Sequence, residues 1–208
     1  MKLKTLIESG EAEQLATGFQ FTEGPVWMPD GYLLFSDIPG NRINKWTEAG
    51  GIEVWREPSG NSNGLTYDHN GRLVACEHGN RRVSRTEADG TVGTLADRYQ
   101  DKLLNSPNDL VVKSDGTVYF TDPPYGIQPE QKEQPHNGVY RVLSDGTIEL
   151  LANDFERPNG LAFSPDESTL YIDDSFHRHL RAFDVNADGT LSNSRIITDM
   201  DHPQPGSP

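Results

Sequence analysis

The stretch Asn63–Glu77, NGLTYDHNGRLVACE, decides the fold. It reads as a short apolar run, a turn, and a second apolar run. Asn70-Gly71 in its middle is the usual chemistry of a two-residue hairpin turn. The same pattern opens three more times: EGPVWMPDGYLLFSD from Glu23, NDLVVKSDGTVYFTD from Asn108, and NGLAFSPDESTLYID from Asn159. The intervals are 40, 45 and 51 residues. Self-similarity at that period belongs to propellers or solenoids.

The segments after each hairpin choose between them. A third strand pattern stands in RINKW, RVSRT, GVYRV and HLRAF. A second Gly-containing turn then leads to IEVW, VGTLA, IELLA and SRIIT. Four antiparallel strands per unit, with no helical period between them, make a propeller blade. A parallel β-helix would repeat sooner, and leucine-rich or helical repeats would show a helical period. The expectation is an all-β chain: one partial β-propeller domain over residues 1–208, with about four four-stranded blades opening near 23, 63, 108 and 159.

Composition agrees. The chain has 208 residues, 20 glycines and 14 prolines, with 34% hydrophobic residues, as many short strands and tight turns require. A net charge of -14 argues against nucleic acid, which wants a basic surface. Cys76 alone excludes an internal disulfide. The first residues lack the apolar stretch of a signal peptide, and no run approaches a membrane span, so the expected place is the cytoplasm.

In a propeller the first strand of each blade lines the central channel. Glu23, Asn63, Asn108 and Asn159 would then converge near one mouth. Asn63 reads best as a turn-holder, because Asn-Gly tolerates left-handed backbone. Glu23 stands between two readings, structural and metal-binding: a carboxylate buried beside neutral amides would need a compensating cation, and one carboxylate with amide oxygens suits a hard divalent ion. Fourteen residues after each opening stands an acid, Asp37, Glu77, Asp122 or Asp173, and in three repeats an arginine stands five later: Arg42, Arg82 and Arg178. That pair reads as architectural, tying the second strand to the third.

At FTEGPVW, GRLVACEHGNRRV, LNSPNDLVV, YFTDPPYGI and RPNGLAFSPD the sequence resembles the gluconolactonase, or senescence marker protein (regucalcin), family from about Phe19 onward. The resemblance implies a propeller of the six-bladed lactonase type that hydrolyses sugar lactones with one divalent cation in its channel. It implies Glu23 and Asn159 as metal ligands and Asn108 as a contact to metal or substrate. Calcium is the first choice, with zinc, magnesium or manganese as alternatives. The family's remaining ligand and general base is an aspartate opening a fifth repeat. By register it would fall just beyond Pro208. The expectation is therefore four blades, with five and six absent, and an inactive chain.

Ser106 departs from the arginine of the vertebrate branch, which leaves substrate preference open. The insert PPYGIQPEQKEQPHNG after the third repeat's second strand reads as a rim loop, with Tyr125 as its candidate substrate contact. The stretch EAEQLATGF before the first repeat reads as an outer strand. Partners are a small lactone and neither nucleic acid nor membrane. The alternative is a propeller that binds a ligand or partner without turnover.

Overall fold

The computed structural model describes residues 12–200; the tail from 201, where a fifth repeat would approach, lies outside them. The four repeats form four separate four-stranded antiparallel sheets, each in sequential order. Blade one is β1 (Thr22–Met28), β2 (Tyr32–Asp37), β3 (Arg42–Thr47) and β4 (Gly51–Arg56). Blade two is β5 (Ser62–Tyr67), β6 (Leu73–Glu77), β7 (Arg82–Thr86) and β8 (Val92–Ala96). A small hairpin that the sequence pattern does not announce, β9 (Arg98–Tyr99) with β10 (Lys102–Leu103), joins it to the next unit. Blade three is β11 (Leu110–Val112), β12 (Val118–Asp122), β13 (Asn137–Val142) and β14 (Ile148–Phe155). Blade four is β15 (Pro158–Phe163), β16 (Thr169–Asp174), β17 (His179–Val185) and β18 (Leu191–Asp199).

Residues 12–19, within the stretch read as an outer strand of the last blade, pair with no strand among the described residues. Phe19 instead sets its ring edge-on to Phe35, 5.0 Å between centroids.

Alternation within strands builds the core between blades. In β12, Val118 and Phe120 face blade two while Tyr119 faces blade four. In β6, Val74 and Cys76 face blade three while Leu73 and Ala75 face blade one. Successive side chains leave opposite faces of a strand, so a blade with apolar residues at both parities needs a neighbour on each side. Three apolar clusters result, one at each seam. Cys76 is fully buried, and burial pushes its thiol well up, so packing accounts for it.

The hairpin of blade four is one residue longer than the others. Phe163 pairs with Leu170, whereas Tyr67 pairs with Leu73 and Val112 with Val118. Glu167, at φ 56, takes the left-handed turn position that Gly71 and Gly116 fill elsewhere. The extra residue corrects the repeat alignment. The acid equivalent to Asp37, Glu77 and Asp122 is Asp174, paired with Pro158 as Asp37 pairs with Thr22. Arg178 (φ 49) matches Asn41 and Arg81, both at φ 53, and His179 stands across from Asp174.

Candidate cation and substrate site

Each innermost strand slips register where its leading residue lies. Shifts fall between Glu23 and Val26, Ser62 and Leu65, and Pro158 and Leu161, and β11 joins its ladder only at Leu110. Such bulges release and re-aim side chains. Glu23, Asn63, Asn108 and Asn159 consequently line one cavity of about 320 Å³, together with Asp109 and Asp173. The sequence expectation that the four leading residues meet at one place holds.

Contacts between blades set their spacing. Ser36 Oγ donates to the Asn63 carbonyl at 2.7 Å, and Thr121 Oγ donates to the Asn159 carbonyl at 2.7 Å. In blade two the matching position is Cys76, and Gly64 N–H bonds the Asn108 carbonyl instead, at 2.8 Å. Two glycines permit this approach. A Cβ at Gly24 would overlap the Asn63 carbonyl, and one at Gly64 would lie 2.5 Å from Asp109 Oδ1.

The side chains differ in setting. Glu23 is exposed, and among the described residues its Oε2 accepts only from its neighbour Gly24 N–H, at 3.3 Å. The burial argument for a cation at Glu23 therefore fails: the carboxylate lies open at the cavity mouth. Asn108 is buried. Asn159 donates its Nδ2 to Ser175 Oγ at 3.0 Å, and Ser175 Oγ donates to Asp173 Oδ2 at 3.2 Å. An amide with its nitrogen tied back leaves its oxygen for a ligand. Tyr125 is not among the lining residues; the Arg157 guanidinium lies over its ring, 5.6 Å from the centroid. The insert is docked rather than loose. Gly126 N–H bonds Ser106 Oγ at 2.7 Å, and Gln134 Nε2 bonds the Tyr99 and Lys102 carbonyls of the β9–β10 hairpin.

The motifs point to neither Asp109 nor Asp173 as a cavity residue, although one signal was available. Asp109 occupies the repeat position filled by Gly24, Gly64 and Gly160, and a carboxylate in a glycine slot is a departure worth reading. Its carboxyl is pushed up to about 6, by burial first and also by the Glu23 and Asp173 carboxylates, despite N–H bonds from Leu110 and Leu161. Asp173 is likewise raised by burial. The cavity thus has an excess of negative charge that a cation would relieve. Among the described residues, no three of His, Cys, Asp or Glu form a metal cluster. Any ion here would rest on one open carboxylate and amide oxygens, a donor set that fits hard divalent cations.

The repeat acids are architectural, in two ways. Asp37, Asp122 and Asp174 each accept backbone N–H groups from the loop that enters their own blade: Gln20 and Phe21, Asn105 and Ser106, Glu156 and Arg157. Glu77, one methylene longer, takes the expected arginine, with Arg82 Nε at 2.8 Å, and adds Arg56 and Ser84. Elsewhere the pattern differs: among the described residues Arg42 Nε is buried without a hydrogen-bond partner, and Arg178 takes the left-handed position of Asn41 and Arg81 rather than the place of Arg42 and Arg82.

Comparison with known proteins shows the family. A gluconolactonase of Zymomonas mobilis is 38% identical over 182 residues, 78% of this chain and 51% of that relative. Rabbit regucalcin is 27% identical, over 84% of this chain and 59% of its own length. The solved structure of a Xanthomonas campestris gluconolactonase superposes with a TM-score of 0.79 at 41% identity, over 86% of this chain and 62% of that one. The chain spans about half to three-fifths of the length of these curated relatives. The profile of the SMP-30/Gluconolactonase/LRE-like region matches residues 21–208. Bulged inner strands presenting Glu, Asn and Asn to one cavity, and a family match over nearly the whole chain, agree: the protein belongs to the SMP-30/gluconolactonase/LRE-like family.

Proposed function

We propose that this chain carries the larger part of the site of a sugar-lactone hydrolase, with a divalent cation held by Glu23, Asn108 and Asn159. The observation that carries the reading is the meeting of these three motif residues on one cavity, with the Asn159 nitrogen turned away onto Ser175. Likeness to the Zymomonas and Xanthomonas gluconolactonases supplies the reaction class. A cation bound there would supply Lewis-acid polarisation of the lactone carbonyl; calcium suits the oxygen donors best, with magnesium, manganese or zinc as alternatives.

The chain's own residues divide the work. Glu23 contributes the ligand charge and faces the open side from which substrate enters. Asn159 is held in one orientation by Ser175 and Asp173. Asn108, buried beneath the mouth, presents its amide to ion or lactone. Asp109 and Asp173 deepen the negative potential without direct ligation. Tyr125 with Arg157 forms a rim contact for the sugar. The water-activating aspartate belongs, on the family resemblance, to a fifth repeat, and residues 22–199 contain four. Turnover is expected of a form as long as those relatives.

Hydrolysis of glucono-1,5-lactone, followed by proton release, tests this. The longer form should show turnover abolished by chelation, and Glu23→Gln should lower it by about 100-fold or more, the scale of losing a charged group that acts on the transition state. Chelator-resistant turnover, or full activity of Glu23→Gln, would refute the assignment.

A further inference from the structure

Asn63 is the leading residue that the motif left without a role. It is 6% exposed and lines the cavity. Its backbone carbonyl is taken by Ser36 Oγ. Its Nδ2 lies 3.3 Å from His78 Nε2. An amide nitrogen can only donate, so Nε2 is the acceptor nitrogen of the ring. Asn63 Oδ1 accepts no hydrogen bond from the described residues.

The same device stands in blade four. Asn159 donates its Nδ2 to Ser175. Ser175 follows Asp174, and His78 follows Glu77, and those two acids pair with Pro158 and Ser62 at the head of their blades' inner strands. His78 and Ser175 therefore occupy one blade position and do one thing: each takes the amide nitrogen of its leading asparagine. His78 is itself held, because Gly126 of the insert packs so closely that a Cβ there would lie 2.7 Å from the His78 Cβ.

We infer that Asn63 is a fourth oxygen donor to the cation, with His78 as the positioning residue that turns its Oδ1 into the cavity. This rests on the cation site proposed above. Asn63 lines the cavity, and an amide oxygen that accepts nothing from the described residues is free to meet a hard cation there. Blade two thus joins the ligand set through an acceptor that the insert of blade three braces.

The test is Mn²⁺ binding to the 208-residue protein, read from loss of the free-ion electron paramagnetic resonance signal. Asn63→Ala should weaken binding by roughly 10-fold or more, and Asn63→Asp should tighten it. His78→Leu, which keeps bulk and removes the acceptor, should weaken it similarly, while His78→Gln, whose Oε1 can still accept, should restore it. Glu23→Gln is the control. If Glu23→Gln loses Mn²⁺ and Asn63→Ala does not, the inference falls and the cation site stands. If Glu23→Gln binds normally, both fall. A measurement without substitution closes the test: ¹⁵N NMR of the intact protein should show His78 with its proton on Nδ1, and a proton on Nε2 would overturn the inference.

Discussion

Among the described residues, blades two and three have a neighbouring blade on each face, whereas blades one and four have one on a single face. The second strands of blades two, three and four make the contrast. Every residue of β6 and β12 is buried, while β16 alternates half-buried and buried along its length. The innermost strand of blade one and the outermost strand of blade four extend it. Trp27 is 56% exposed, and Ile196 60%. The same division runs through the cavity: Asn63 and Asn108, from the inner blades, are buried, while Glu23 lies open and Asn159 is half-buried. The strand patterns are alike in all four blades, so burial here is decided by neighbours rather than by the strand itself. The inner blades bury their leading residues, and the flanking blades leave theirs more open.

The sharpest way to break this contrast is to hollow out each region. Phe120 is fully buried and stacks on Tyr140, 5.4 Å between centroids. Phe120→Ala should cost about 3–5 kcal/mol in urea unfolding. Trp27→Ala should change stability by only about 0.5 kcal/mol. Equal losses at the two sites would mean that the face of blade one is covered in solution.

A second test uses the repeat acids, which respond to pH in opposite senses. Burial pushes the Asp122 carboxyl up to about 7, against its Asn105 and Ser106 N–H bonds. At Asp174 burial also raises the pKa, but N–H bonds from Glu156, His177, Arg157 and Phe176 together bring it below the usual value. For Asp122 the folded state holds its proton more tightly than the unfolded one, so its contribution is present below about pH 4 and is lost as pH rises toward 7. For Asp174 the contribution is present above about pH 4 and is lost as pH falls through the lowered folded value. Urea midpoints against pH should therefore lose the decline between pH 4 and 7 in Asp122→Asn, and lose part of the acid-side fall in Asp174→Asn. The same change in both variants would remove the distinction between inner and flanking blades.

The smallest effect concerns association. Exposed apolar faces on blades one and four promote self-association. The wild-type chain should sediment as a concentration-dependent mixture, and Trp27→Lys with Ile196→Lys should shift it toward monomer with little change in unfolding. A monomeric wild-type chain would show that these faces are tolerated bare.

Much of this was legible in the sequence. Four hairpins, three of them with Asp-Gly or Asn-Gly turns, and a third and fourth strand behind each determined the blades, because strand period and turn chemistry are local. The leading residues were legible too, since the repeat puts them at one position and a propeller brings that position to one mouth. Blade four's register was not, because Asp166-Glu167-Ser168 hides one added residue that only the pairing of Phe163 with Leu170 reveals. Nor was the exposure of Glu23, the glycine-slot carboxylate Asp109 as a neighbour of Glu23 and Asp173, or the grip of His78 on Asn63. Each depends on which side chain a different blade brings close. Local sequence sets where a strand starts and which way its residues alternate. Distances across a channel, and the burial that moves a carboxyl's pKa, exist only once the blades have packed.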